Sequence, residues 1–338
     1  RTTVENFNGH VCAAADGRVY AIAGKEHITV VRADGLDRMK RFEGTVEVKA
    51  EDVKRAMAWA AERAGAETAL RLPRIYRVDC LRKPPVIDGQ ANADWPLGKP
   101  IEIRTVRDET GRVLQSYSAR IGFDADNLYL AAEAYDESPM LNSGAEPARL
   151  FQTGDGFDVG LALDPKADPT REEAAAGDIR LVLAEAKGKP MVMLYRFKVE
   201  GAGLGGEPAD FTSPVGRIHI DEMVQAKGVR MAVQRADKSW RLEAAIPWTS
   251  IGGAAPAASV ALHGDVGVLA SDPNGVSTVE RFYWANTSTV IMSDLPAESR
   301  IHPQLFGTLN FVVPDAGDLL EDMQSAPGAT GPDGGMGL

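Results

Sequence analysis

Residues 116–136 read "SYSARIGFDADNLYLAAEAYD". The first part alternates polar and apolar with period two, the spacing at which a β-strand sends successive side chains to opposite faces. The second part is a short apolar run of strand length, bounded by turn residues. The same texture continues in "FDVGLALDP" (157–165), "IRLVLAEAKG" (179–188), "PMVMLYRFKVE" (190–200), "GVRMAVQRAD" (228–237), "SWRLEAAIPW" (239–248) and "GDVGVLASD" (264–272). Many short strands at roughly even spacing, with no helices between them, predict a mainly β protein. The expected fold is an antiparallel β-sandwich of immunoglobulin or jelly-roll type over residues 86–313.

Outside that block the texture changes. Residues 1–48 hold four strand-like runs separated by turn dipeptides such as Asp16-Gly17 and Asp34-Gly35. Such a meander has the shape of one propeller blade. One blade cannot bury both faces alone, so it is either the last blade of a truncated propeller or a small sheet packed on the next domain. Residues 49–65, "KAEDVKRAMAWAAERAG", carry apolar residues at helical spacing and stop at Gly65. Residues 71–85 read as an extended linker, since Pro73, Pro84 and Pro85 oppose a helix. Residues 314–338 form a Gly/Pro-rich tail expected to be disordered.

Composition excludes several classes. The 338 residues carry a net charge of −11, and neither nucleic acid nor an anionic membrane surface favours an acidic partner. No apolar run approaches the ~18 residues of a membrane span. The two cysteines, Cys12 and Cys80, are either a pair or two separate thiols, and no Cys/His cluster suggests zinc. Gly201, Gly203 and Gly206 in "GAGLGGEP" match the dinucleotide-binding glycine pattern, but Pro208 and Pro214 follow where a helix would have to receive the pyrophosphate. No GxSxG motif occurs, and no carboxylate pair is marked out for glycoside hydrolysis.

Five landmarks come in order within the predicted sandwich. They are "PPVIDGQANADWPLG" (84–98), "NLYLAAEAYDESP" (127–139), "GDGFDVGLALDP" (154–165), "SWRLEAAIPWTSIG" (239–252), and the closing "RFYWAN" (281–286) with "GTLNF" (307–311). Together they resemble the family 9 carbohydrate-binding modules and their wider sandwich superfamily, which includes DOMON domains and haem subunits of the ethylbenzene dehydrogenase type. The resemblance implies a non-catalytic saccharide-binding domain of an exported protein, extracellular or periplasmic. A fragment of a larger chain is expected, since the sequence opens with Arg1 and no signal peptide. It further implies an aromatic-lined cleft, with Phe151 and Trp284 as platforms and Tyr283, Asn286 and Arg281 around the sugar hydroxyls. Phe282 and Phe311 are then expected in the core.

A sugar's C–H face is apolar and its hydroxyl rim needs paired hydrogen bonds, so aromatic faces beside amides and charges suit it. Asp136, Asp155 and Asp158 are candidate oxygen ligands for Ca2+, with turn formation and N–H capping as the plain alternative. Two other readings stand beside the saccharide reading. One is a haem-binding sandwich using Met191, Met193 or His219 as axial ligands. The other is a domain that serves only to pack against the rest of a parent chain.

Overall fold

The computed structural model describes residues 74–90, 95, 99–136, 138–214, 216–287 and 294–314, and the backbone of three strands nearer the N-terminus. The chain divides into two compact units, residues 1–72 with 291–298, and residues 73–290 with 299–338. In the first unit β1 (Gly9–Ala13), β2 (Arg18–Ala23) and β3 (His27–Arg32) form an antiparallel meander in the order β1-β2-β3. The fourth strand-like run, the helix expected at 49–65 and the tail 325–338 lie outside the described residues.

The second unit is the sandwich. One half contains β8 (Gly156–Ala162), β9 (Asp178–Ala186), β10 (Lys189–Arg196), β11 (Glu207–Ser213), β12 (Gly216–Gln225), β15 (Val260–Ser271), β16 (Thr278–Tyr283) and β17 (Gly307–Val312). The other half contains β4 (Ile75–Cys80), β5 (Ile101–Arg107), β6 (Val113–Phe123), β7 (Asn127–Tyr135), β13 (Arg230–Ala236) and β14 (Ser239–Pro247). The hydrogen-bonded path runs β11-β12-β10-β9-β8-β15-β17-β4-β6-β7-β14-β13, with β16 on β15 and β5 on β6.

Period-two alternation builds the core. On one half Tyr117, Ala119, Ile121 and Phe123 of β6, Leu128 and Leu130 of β7, and Trp240, Leu242 and Ile246 of β14 turn inward. On the other half Phe157, Val159, Leu181, Leu183, Leu194, Val266 and Val268 meet them. Phe311 joins this core edge-on to Phe123, at 5.1 Å between ring centroids. Phe282 is half-buried and stacks on Tyr117 at 5.2 Å.

The fold departs from a purely antiparallel sandwich at one corner. The segment expected as a linker supplies β4, which pairs in parallel with β17 (Phe311 beside Val78) and with the end of β6 (Asp79 beside Gly122). β4 thereby carries the hydrogen-bonded path from one half to the other. Its prolines Pro73, Pro84 and Pro85 lie outside Ile75–Cys80, so none removes a ladder donor.

Candidate functional site

The outer faces of the two halves differ. On the larger half the central strands β8 and β9 are buried on both sides. The register places Asp158 beside Gly267 and Val182, and Gly267 beside Tyr283. Gly267 leaves room there: a β-carbon would stand 2.4 Å from Tyr283 Cδ1. The Tyr283 ring therefore crosses the glycine, and its hydroxyl donates to Asp158 Oδ2 at 2.5 Å.

Asp158 is also gripped by Arg180, which donates from Nε at 2.9 Å and from Nη2 at 2.6 Å. Arg180 Nη1 donates to the Ser299 carbonyl at 3.2 Å. Both partners of this pair are almost fully buried. Arg180 lies over the Phe151 ring at 4.8 Å, and Arg281 donates from Nη2 to the Phe151 carbonyl at 3.0 Å. Phe151 meets Tyr195 and Phe211 edge-on at 5.7 and 6.0 Å.

The structure thus brings Phe151, Tyr283, Arg281 and Asp158 together, as a closed cluster. Phe151 is 0% exposed and Trp284 6%. The expectation of two open platforms is corrected for both. The Trp284 ring packs on Gly307, where a β-carbon would come within 2.5 Å of it, and belongs to the main core. Arg281 is buried as well, so it is not available at a rim. Asn286 is half-buried, and its backbone N–H donates to Asp265 Oδ2 at 2.8 Å. Asp265 also accepts from the N–H groups of Val266 and Ala285, and burial pushes its carboxyl up to about 7.

The candidate calcium ligands have other work. Asp158 faces a guanidinium rather than an open site. Asp155 accepts from the N–H groups of Leu141 at 2.7 Å and Ser271 at 2.6 Å, tying two loops together, and burial pushes it up to about 6. Asp136 accepts from the Tyr117 hydroxyl and from Ser138, and burial raises it. Among the described residues no three His, Cys, Asp or Glu converge where they could hold a metal ion. The capping account fits Asp155 and Asp136, whereas Asp158 is held by a guanidinium and a phenol.

The candidate haem ligands do not converge either. Met193 pairs across to Gln225 on β12, whereas His219 lies six residues along the same strand, roughly 20 Å away at ~3.4 Å per residue. His219 is exposed and bonds Asp210 at 2.9 Å. The glycine motif has a definite role: Leu204 N–H and Gly206 N–H both donate to Glu222 Oε1, at 2.5 and 3.0 Å. That loop holds a carboxylate of its own chain, where a phosphate-binding loop would hold a ligand.

The smaller half presents a different outer face. Its lower part is covered by the "IDG" and Trp95 landmarks. The N–H groups of Asp88 and Gly89 donate to Glu243 Oε2 at 3.1 and 2.9 Å, and Trp95 sits edge-on to Tyr129 at 6.5 Å. Glu243 and Trp95 therefore fasten a covering segment.

Above that cover the face is open. The register lines up Ser118, Glu133, Arg241 and Gln234 in one row across β6, β7, β14 and β13, with Ser116, Tyr135 and Ser239 in the next. These residues line a groove of about 370 Å3. Tyr135 is 39% exposed. Arg241 Nη2 and Glu133 Oε1 are 2.7 Å apart, while Arg241 Nε is buried without a partner.

None of these groove residues was singled out from the sequence. The signal was present in the alternation, since the outward positions of "SYSARIGF" and "NLYLAAEAY" are the polar counterparts of the buried ones. Arg180 was missed as well. A charged residue inside the apolar run "IRLVLA" is a mark of a buried ion pair.

No family model and no curated protein matches this chain. Among solved structures, it is similar to a family 9 carbohydrate-binding module from Caldicellulosiruptor kristjanssonii in complex with cellotriose. That match has 14% identity and a TM-score of 0.44, over 72% of this chain and 96% of that one. A family 9 module from the same organism in complex with glucose matches at 14% identity and a TM-score of 0.43, over 71% of this chain and 98% of that one.

Proposed function

We propose that the sandwich is a non-catalytic saccharide-binding domain, and that its site is the open groove on the smaller half rather than the closed aromatic cluster. The observation that carries this is the composition of the groove. It offers one partly exposed aromatic ring, Tyr135, beside an acceptor, Glu133, a donor, Arg241, and groups that do both, Ser118 and Gln234. A pyranose needs that combination, with an apolar face to cover its C–H side and fixed polar groups to replace water at its hydroxyls. The fit to the family landmarks supports the same class of ligand. An exported, extracellular or periplasmic setting belongs to the same proposal, with the N-terminal meander joining the sandwich to the rest of a parent protein.

The test is calorimetry of the whole chain against a panel of soluble saccharides, with Tyr135→Ala and Trp284→Ala compared side by side. Binding lost with Tyr135→Ala supports the groove. Binding lost only with Trp284→Ala, in protein shown to be folded, returns the site to the aromatic cluster.

A further inference from the structure

We infer that the sandwich carries a second binding site, for a small zwitterion with an apolar body, the chemistry of a free apolar α-amino acid. The site is a cleft of about 480 Å3 at the other end of β14 from the groove. β14 starts at Ser239, which lines the groove, and ends at Pro247, next to Trp248, which lines the cleft. The strand between them is 9 residues long. At ~3.4 Å per residue that puts the two sites roughly 30 Å apart. The inference therefore does not rest on the saccharide reading.

The floor of the cleft is apolar because the core opens there. Trp248 and Leu262 are buried in the main core, and Leu163, Pro256 and Val260 stand half-buried around them. Trp248 begins a short turn that closes at Gly252 with φ of 74°. Two glycines shape the wall. A β-carbon on Gly252 would stand 3.3 Å from the Arg196 guanidinium carbon, and one on Gly253 would stand 3.2 Å from Leu163 Cδ1. An apolar floor at a volume in the small-molecule range suits a compact ligand that buries a hydrocarbon group.

The rim carries charge of both signs. Arg196 closes β10, Lys198 and Glu200 follow it, and Asp164 follows β8. Arg196 donates from Nη1 to the buried Glu222 at 2.6 Å, which leaves the rest of its donor fork for the cleft that it lines. Asp164 accepts from the Lys166 N–H through Oδ1 at 2.9 Å, which orients the carboxylate and leaves Oδ2 for a ligand. Asp164, Lys198 and Glu200 are exposed, and among the described residues none of the three has an ion-pair partner.

Two cations and two carboxylates around one cleft do not suit a simple anion or a simple cation. Either would meet two repulsions for its two attractions. A molecule that carries both a carboxylate and an ammonium uses all four groups. The guanidinium fork matches a carboxylate, and the Lys198 ammonium adds a second positive charge beside it. The carboxylates of Asp164 and Glu200 accept from the ligand's ammonium, which has three N–H donors. Its hydrocarbon side chain then lies on Leu163, Val260 and Leu262.

The experiment is calorimetry of the whole chain with L-leucine and L-phenylalanine, with their amides, which lack the carboxylate, and with their N-acetyl derivatives, which lack the ammonium. Lys198→Met and Glu200→Gln are measured beside the unchanged protein, and a saccharide panel is titrated into all three. The expected result is binding of at least one of the two amino acids, weakened about tenfold or more in both of its derivatives, the equivalent of about 1.4 kcal/mol. Each variant should weaken it likewise and leave any saccharide binding as it was. If neither amino acid binds, the inference falls. If the amide or the N-acetyl derivative binds as well as its parent, the ligand is not recognised as a zwitterion and the inference falls. Binding indifferent to both variants places the ligand outside the cleft and overturns it too. These arms use the unchanged protein or exposed, unpaired side chains, so loss of folding does not decide them. Failure of the saccharide panel alone removes the groove reading and leaves this one standing.

Discussion

The two halves of the sandwich carry similar side chains on their outer faces and use them in opposite ways. On the larger half Phe151, Asp158, Arg180 and Arg281 are buried and, with the half-buried Tyr283, satisfy one another. On the smaller half Tyr135, Glu133 and Arg241 stand in an open groove. An aromatic ring beside an acid and a base looks the same in sequence in both places. What separates them is coverage. Gly160 and Gly267 let Phe306 and Tyr283 lie flat on the larger half, where a β-carbon would come within 2.7 Å and 2.4 Å of those rings. Among the described residues, the smaller half is covered as far as Glu243 and Trp95 reach. One face therefore stabilises the fold, and the other leaves its side chains open to solvent.

The largest effect expected from breaking this contrast is at Arg180. Arg180→Met removes one partner of a buried pair and leaves Asp158 charged and desolvated, which costs about 3–5 kcal/mol. Chemical denaturation would show it as a large fall in midpoint. A loss below about 1 kcal/mol would mean that water reaches the cluster and that it is not closed. Trp284→Ala comes next, with a similar cost of about 3–5 kcal/mol, because it empties a core site packed on Gly307. Saccharide affinity of the folded fraction should be unchanged. Retained stability with lost binding would exchange the roles of the two faces.

Much of the fold was legible in the sequence because alternation reports burial strand by strand. Ala119, Ile121 and Phe123 alternate with Ser118, Arg120 and Gly122, and the structure turns the first set into the core. The parallel corner was not legible. β4 is flanked by prolines that mark it as extended, yet nothing in "IYRVDC" says that its partners lie at Phe311 and Gly122, more than forty residues away in either case. The site was misjudged for a related reason. "RFYWAN" and "LFQTGDGFD" do meet in space, as the landmarks implied, but composition cannot tell a ring that faces water from one that a glycine across the sheet allows to lie flat. The carboxylates follow the same logic. Asp155 reads as a metal ligand or a turn former until the backbone N–H groups it accepts from are seen.

Acidity should sharpen the contrast at intermediate size. Asp265 is buried in the larger half, and burial holds its carboxyl up to about 7, against about 3.9 in an unfolded chain. Between those values the folded protein holds a proton that the unfolded chain has released. Stability from this group is therefore greatest at low pH, falls as pH rises from about 4 to about 7, and is flat above. The full span is at most about 4 kcal/mol, at about 1.4 kcal/mol per unit. Asp155 adds the same sense through its carboxyl at about 6. Asp265→Asn should flatten the denaturation midpoint across this range. An unchanged profile in that variant would show that the three N–H donors keep the carboxylate ionised despite its burial.

The smallest stability effect belongs to the open face. Tyr135 is 39% exposed and points away from the core, so Tyr135→Ala should move stability by less than about 0.5 kcal/mol, the ordinary range for surface changes. Its effect on ligand should be larger than its effect on folding, because a ring that covers a sugar face buries that apolar area only in the complex, at about 25 cal/mol per Å2. Tyr135→Phe should keep most of that affinity, since the ring face is retained and only the hydroxyl is removed. The pair of variants separates stacking from hydrogen bonding without disturbing the sandwich. Equal loss in both would assign Tyr135 a hydroxyl role and would move the platform elsewhere in the groove. A fall in stability of several kcal/mol in either variant would show that this face, too, is part of the core.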